Sequence, residues 1–262
     1  MRPRHSIIVT HRDRHAHLAW LVWSIWWCAE QTRRRDFEVV VVHAGEPVPS
    51  LPGFCRIVRH EQPMPVFHKT LLQSIGIDHA VGDVLTFLDA DAIVGPQWLG
   101  AVDALLSDPS LTKLCYRVYG FRAPANQFAN PWDRPHDANV ADYDWIWRYY
   151  RRFDHAFEGR RLPHTSPPTG EPLFGNSHFS ILRSNLGTTR PPLEFIGAAY
   201  EDIAFNRAIW HAHGDRYRAR LAADPPQAVA RILHKRYQGD WRTPKIIEAN
   251  RALYHAAEPL PA

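Results

Sequence analysis

An apolar run that ends in two acids one residue apart, Val84-Leu85-Thr86-Phe87-Leu88-Asp89-Ala90-Asp91, constrains this chain more than any other stretch. Its first five residues form strands readily and suit a position buried in a sheet. A carboxylate buried there is costly unless it is paired or holds a metal, so two of them belong at the strand's carboxyl end. In open α/β sheets that end is where ligands bind.

The flanks alternate. Ser6-Ile7-Ile8-Val9-Thr10 reads as a first strand, Phe37 to Val42 as a second buried on both faces, and the stretch around Cys55 to Val58 as a third. Between the first two lie a polar turn and a run from Leu18 to Ala29 with Trp20, Trp23, Trp26 and Trp27 at helical spacing. A helical stretch from Lys69 closes with Gly82 just before the Val84 strand, and Pro96-Gln97-Trp98-Leu99 opens another helix. Strands alternating with helices give an α/β fold with a doubly wound sheet. At 262 residues the chain can bury a substantial core within one domain, and no repeat interrupts it.

Two oxygen-bearing side chains at a strand mouth suit a hard divalent cation such as Mg²⁺ or Mn²⁺, which takes its remaining ligands from water and a substrate's phosphates. The plain alternative is a surface turn with two solvated acids. Further along, Phe195-Ile196-Gly197-Ala198-Ala199-Tyr200-Glu201-Asp202 carries a second acid pair after small residues. The helix begun there aims its positive N-terminus at the cleft, although two acids also cap a helix with no chemistry implied.

The Lys69 helix, the Asp89 block and Pro96-Gln97-Trp98-Leu99 together resemble the donor-binding half of GT-A fold glycosyltransferases, family 2-like and galactosyltransferase-like, with their "R-N-x-G-x-x-x-A-x-G-D", "F-L-D-x-D" and "P-x-W-L" motifs. Gln73 and Ser74 stand where that family has Arg and Asn, so contacts of those two side chains are not carried over. The resemblance runs over roughly residues 5 to 240 and implies a single GT-A (Rossmann-like) domain with a central mixed, mostly parallel sheet flanked by helices. It implies a metal-dependent, inverting transfer of a sugar from a nucleotide-sugar donor, by default a UDP-sugar, to an acceptor hydroxyl, with Mn²⁺ or Mg²⁺ held by Asp89 and Asp91. Thr10, His11, Arg14 and Lys69 fall on the donor side. His43 or Glu46 stands in place of the aspartate that contacts the nucleobase in relatives, and Gly175 and Arg183 match the strand lining the donor sugar. The acid pair resembles "F-x-G-x-G-x-E-D", which makes Asp202 the base and Glu201 the residue that orients the acceptor hydroxyl. His234 is the candidate third metal ligand, with His211 and His213 weaker ones.

On this reading residues 1–262 form one domain: a nucleotide-sugar and metal half at about 5–118, an acceptor and catalytic half at about 119–240, and a tail at 241–262. Trp145, Trp147, Arg151 and Arg152 are the acceptor candidates, because aromatic and basic side chains offer stacking and hydrogen-bonding surfaces to a sugar. A partly buried helix with an arginine face is the plainer account of them. A saccharide is the expected acceptor. DNA is the alternative, since Arg148, Arg151, Arg152, Arg160 and Arg161 interleave with aromatics and a modified base would be flipped out of its duplex. A non-catalytic nucleotide-sugar or nucleic-acid binding module is the rival from another class.

Net charge +4 fits an anionic substrate and a nucleic-acid surface equally. Cys28, Cys55 and Cys115 are odd in number and widely spaced, which argues against a disulfide framework or a zinc site and for a reducing compartment. No cleavable apolar leader follows Met1, and Leu18 to Ala29 is shorter than the roughly 20 residues that span a bilayer, so a soluble, cytoplasmic protein is expected. The tryptophan run reads as a core helix. Its alternative is an aromatic peripheral membrane contact next to Arg33-Arg34-Arg35.

Overall fold

The computed structural model describes residues 3–116, 118–121, 130–144, 147, 178–197, 200–222, 229–232 and 243–256. Of the candidates above, Trp145, Arg148, Arg151, Arg152, Arg160, Arg161, Gly175 and His234 lie outside the described residues.

A seven-stranded sheet in the order β3-β2-β1-β4-β8-β6-β9 forms the centre. Its strands are β1 (His5–His11), β2 (Phe37–His43), β3 (Cys55–Arg59), β4 (Val84–Asp89), β6 (Lys113–Tyr116), β8 (Phe179–Leu182) and β9 (Ala219–Ala222). All run parallel except β8, which is antiparallel to both β4 and β6. The mixed, mostly parallel sheet is the expected one. A small second sheet joins β5 (Ala92–Val94), β10 (Val229–Ile232) and β7 (Val118–Phe121), with β10 in the middle.

Burial on both faces explains the apolar centres of β1, Ile7–Val9, and of β2, Val39–Val42. Successive side chains point to opposite faces, so Ile7, Val9, Val39 and Val41 pack against α1 (His15–Gln31) and α3 (Trp98–Leu106), through Leu18, Leu21, Val22, Ile25, Trp98 and Val102. On the other face Ile8, Val40, Val42, Phe87 and Phe179 meet Leu72 and Ile77 of α2 (Lys69–His79) and Phe205 and Ile209 of α4 (Glu201–His213). Helix α2 lies so close to the sheet that a Cβ on Gly76 would stand 2.4 Å from Ile8 Cγ2, a separation only glycine permits.

The tryptophan helix is a core element. Trp20 and Trp23 are each 1% exposed and pack with Ile93, Tyr143 and Trp147, while Trp26 and Trp27 close the edge of that cluster beside Trp132. Trp147, an acceptor candidate from the sequence, is buried in this cluster with its ring 6.2 Å from that of Tyr143 between centroids. Among the described residues no helix is long and apolar enough to cross a membrane. The segment read as a tail contains a helix, α5 (Pro244–Ala256), with Tyr254 and Asn250 buried.

Candidate functional site

The site begins as a row of strand ends. Parallel pairing sets Thr10 opposite Asp89 and His11 opposite His43, so these four residues share the carboxyl edge of β1, β2 and β4. Burial, helped by the neighbouring charge of His15, pushes the His11 imidazole down to about 4, and burial also lowers His43. Both rings are neutral near pH 7. After Asp89 the chain turns at Ala90 and continues into β5, which leaves Asp91 buried in the turn. Arg14, the N-cap residue of α1, donates from Nη1 to Asp91 Oδ2 at 3.0 Å.

The second acid pair reaches this edge through backbone stitching between distant segments. Gly197 N donates to the Phe67 carbonyl at 3.0 Å, Thr70 Oγ1 donates to the Phe195 carbonyl at 3.1 Å, and His68 and Gly197 form an isolated β-bridge. Tyr200 then takes φ +67°, a left-handed conformation uncommon for a large side chain, directly before Glu201 opens α4. Helix α5 braces the turn from outside. The Tyr200 and Tyr254 rings lie 5.4 Å apart, and Asn250 Nδ2 donates to the Ile196 carbonyl at 3.0 Å.

The result is an ammonium ringed by carboxylates. Lys69, the first residue of α2, places Nζ 2.9 Å from Asp89 Oδ1, 2.9 Å from Asp202 Oδ1 and 3.9 Å from Glu201 Oε1. Burial opposes the charge on Lys69, yet Asp202, Asp89 and Glu201 outweigh it and hold the lysine above its ordinary value. Glu201 goes the other way to most paired acids. Burial and the Asp202 charge push its carboxyl up to about 8 against the pull of Lys69, so it carries a proton near pH 7. Asp202 is the more open of the two, 24% exposed against 6% for Glu201. Just before β8, His178 sets Nε2 3.7 Å from Asp89 Oδ2, and it belongs to the Gly175–Phe179 stretch that resembles the strand lining the donor sugar.

The fold that carries this site is similar to that of solved glycosyltransferase structures. A mannosyltransferase from Pyrobaculum calidifontis, PcManGT, in complex with GDP-Man and Mn²⁺, superposes with a TM-score of 0.58 at 18% identity, over 100% of this chain and 66% of that one. TarS from S. aureus gives 0.55 at 14% identity over 89% of this chain and 37% of TarS, and its residue 1–349 structure gives 0.51 at 14% over 88% and 60%. The fold is GT-A. The chain spans about two thirds of the mannosyltransferase and just over a third of TarS. No protein-family model matches the sequence, and no curated protein sequence does.

Within this GT-A fold the structure brings together Thr10, His11, Arg14, His43, Lys69, Asp89, Asp91, Glu201 and Asp202. Arg183 is not with them. Its Nε donates to the Gly82 carbonyl at 2.9 Å and its Nη2 to the Ala80 carbonyl at 2.8 Å, which fixes the guanidinium at the amino end of β4, opposite the mouth. The reason is strand direction: β8 runs antiparallel to β4, so only its start at His178 reaches the site. His211 and His213 end α4, about 15–18 Å along the helix from Glu201, and His213 Nε2 bonds the Asn185 carbonyl.

Asp89 and Asp91 fit a divalent cation by donor type, since carboxylate oxygens are what Mg²⁺ and Mn²⁺ prefer. Each is balanced here by a basic side chain, Lys69 for Asp89 and Arg14 for Asp91. No group of three or more His, Cys, Asp or Glu among the described residues is arranged to hold a metal. Two aspartates would therefore share the ion with a ligand's oxygens.

Proposed function

We propose that this chain is a nucleotide-sugar glycosyltransferase that works with Mn²⁺ or Mg²⁺ and inverts the anomeric centre. The observation that supports it most is Lys69, whose one ammonium joins a metal-side carboxylate, Asp89, to the pair at the head of α4, Asp202 and Glu201. Two carboxylate functions thus face one mouth, as a transfer with a base on one side and a charged leaving group on the other requires.

In the reaction Asp202 accepts the proton of the acceptor hydroxyl as that oxygen bonds to the anomeric carbon. The bond from that carbon to the donor diphosphate breaks, and its electron pair leaves with the diphosphate. The divalent cation, held by Asp89 and Asp91, would neutralise charge on the diphosphate. Lys69 keeps Asp202 fixed between turnovers. Protonated Glu201 supplies a hydrogen-bond donor beside it, suited to orienting the acceptor. Thr10, His11 and His43 line the neighbouring strand ends, where the nucleoside would lie. The mannosyltransferase of the same fold holds GDP-Man and Mn²⁺, which supports both donor class and cation. A UDP-sugar is the first donor to test and a GDP-sugar the second, with a saccharide as acceptor.

The test is nucleoside diphosphate release from UDP- and GDP-sugars with Mn²⁺, alongside calorimetric binding of the same nucleotides. Asp202→Asn should keep Mn²⁺-dependent nucleotide affinity and lose release by about 10²- to 10⁴-fold, the usual contribution of a positioned base. Near wild-type release by that variant refutes the base, and binding without any release in the wild type favours a non-catalytic module.

A further inference from the structure

A cavity of about 290 Å³ lies at the opposite end of the sheet from the mouth, lined by Trp26 and Glu30 of α1, Arg35, Phe37, Pro52 and Phe54. Phe37 opens β2 and the mouth residue His43 closes it, which puts the two places about 20 Å apart along the strand. The cavity walls are held by backbone. Val39 N donates to the Phe54 carbonyl at 3.0 Å, Cys55 N donates to the Pro52 carbonyl at 2.8 Å, and Trp26 stands on a helix. The Phe37 and Phe54 rings lie 5.2 Å apart, tilted by 56°, and make an angled apolar wall. The polar side is one ion pair: Arg35 Nη2 is 2.8 Å from Glu30 Oε1, and Arg35 Nη1 donates to the Arg34 carbonyl at 2.7 Å. The proposed transfer uses none of these side chains.

The pair is neutral as a unit, and that selects the ligand. A phosphate is repelled by Glu30 and a quaternary ammonium by Arg35, so each charged class meets its own sign. A neutral polyol with an apolar face meets neither penalty. Its hydroxyls find acceptors on Glu30 and a fork of donors on Arg35, while its C–H face lies against the rings. The volume is at the small end for a ligand pocket, which suits one six-membered ring and not a nucleotide. The geometry points to a pyranose-binding site outside the catalytic mouth, in which Trp26, Phe37 and Phe54 carry the apolar face of one sugar unit and Glu30 and Arg35 hold its hydroxyls. Its use rests on the function proposed above: a saccharide acceptor anchored here offers its other units to the mouth at a raised effective concentration.

The site is tested by binding, without transfer. Methyl glucopyranoside, methyl mannopyranoside and N-acetylglucosamine are titrated into the full chain with UDP or GDP and Mn²⁺ present, and choline and inorganic phosphate serve as charged probes. Saturation-transfer NMR reads contact between sugar protons and the protein, and calorimetry reads affinity. At least one pyranose should bind with a Kd of about 1–10 mM, the strength expected of so small a ligand. Arg35 and Glu30 are 65% and 33% exposed, so Arg35→Met and Glu30→Gln should leave the melting point and nucleotide affinity unchanged. Each should weaken the sugar by about tenfold, since each removes hydrogen bonds to a charged group. No pyranose binding in the wild type, or binding that neither substitution weakens, overturns the site and leaves the proposed function standing. Choline or phosphate binding more tightly than every sugar also overturns it. Sugar binding that both substitutions weaken, in a chain that releases no nucleoside diphosphate from any donor, keeps the cavity as a saccharide site and overturns its role in transfer.

Discussion

Replacing Lys69 by methionine removes the charge at the centre of the site while keeping its length and apolar stem. The variant leaves Asp89 and Asp202 facing each other across a space of similar volume, both having lost an ammonium at 2.9 Å. Removing one partner of a buried ion pair costs about 3–5 kcal/mol, because the remaining charge is left without compensation. The lower end applies here, about 3 kcal/mol, since Asp89 and Asp202 are 17% and 24% exposed and water screens part of their repulsion. For a chain of this length that corresponds to a melting point lower by roughly 6–12 °C. Urea unfolding followed by tryptophan fluorescence measures it. A double variant, Lys69→Met with Asp202→Asn, should recover more than about 1 kcal/mol relative to the sum of the single changes. A single-variant loss below about 1 kcal/mol, or additive behaviour in the pair, refutes the view that this ammonium organises the site.

Glu201 has a folded-state value raised from 4.5 to about 8. Its contribution to stability is therefore complete below about pH 4.5 and is lost as the pH rises through about 8, the reverse of a salt-bridged acid. Glu201→Gln should flatten the fall in melting point over that window, and a pH profile identical to the wild type counts against a protonated Glu201. Arg183→Met should cost about 2–3 kcal/mol in urea unfolding, because the Ala80 and Gly82 carbonyls lose a charged donor, with nucleotide affinity unchanged in calorimetry. A specific loss of nucleotide affinity would return Arg183 to the donor site.

The sequence by itself determined the α/β alternation and the central strands, because strands buried on both faces are apolar through their centres, as Ile7–Val9, Val39–Val42 and Phe87–Leu88 are. It also put Asp89 at a strand's carboxyl end, since a local apolar run that stops at an acid marks where the strand stops. It did not determine which distant groups meet there. Lys69 reads as a donor-side residue opening a helix, and its contact with Asp202, 133 residues away, exists only because residues 195–197 are stitched onto the 67–70 segment. Strand direction was hidden for the same reason: hydrophobic pattern is blind to polarity, so nothing in Phe179–Leu182 told that His178 would meet Asp89 and Arg183 would face away. Trp147 shows the converse, as an aromatic side chain suits a sugar platform and a core equally until packing against Tyr143 decides. Local chemistry sets what each segment can become, whereas the charge balance of a site is a sum over segments that only the closed chain brings within a few ångströms.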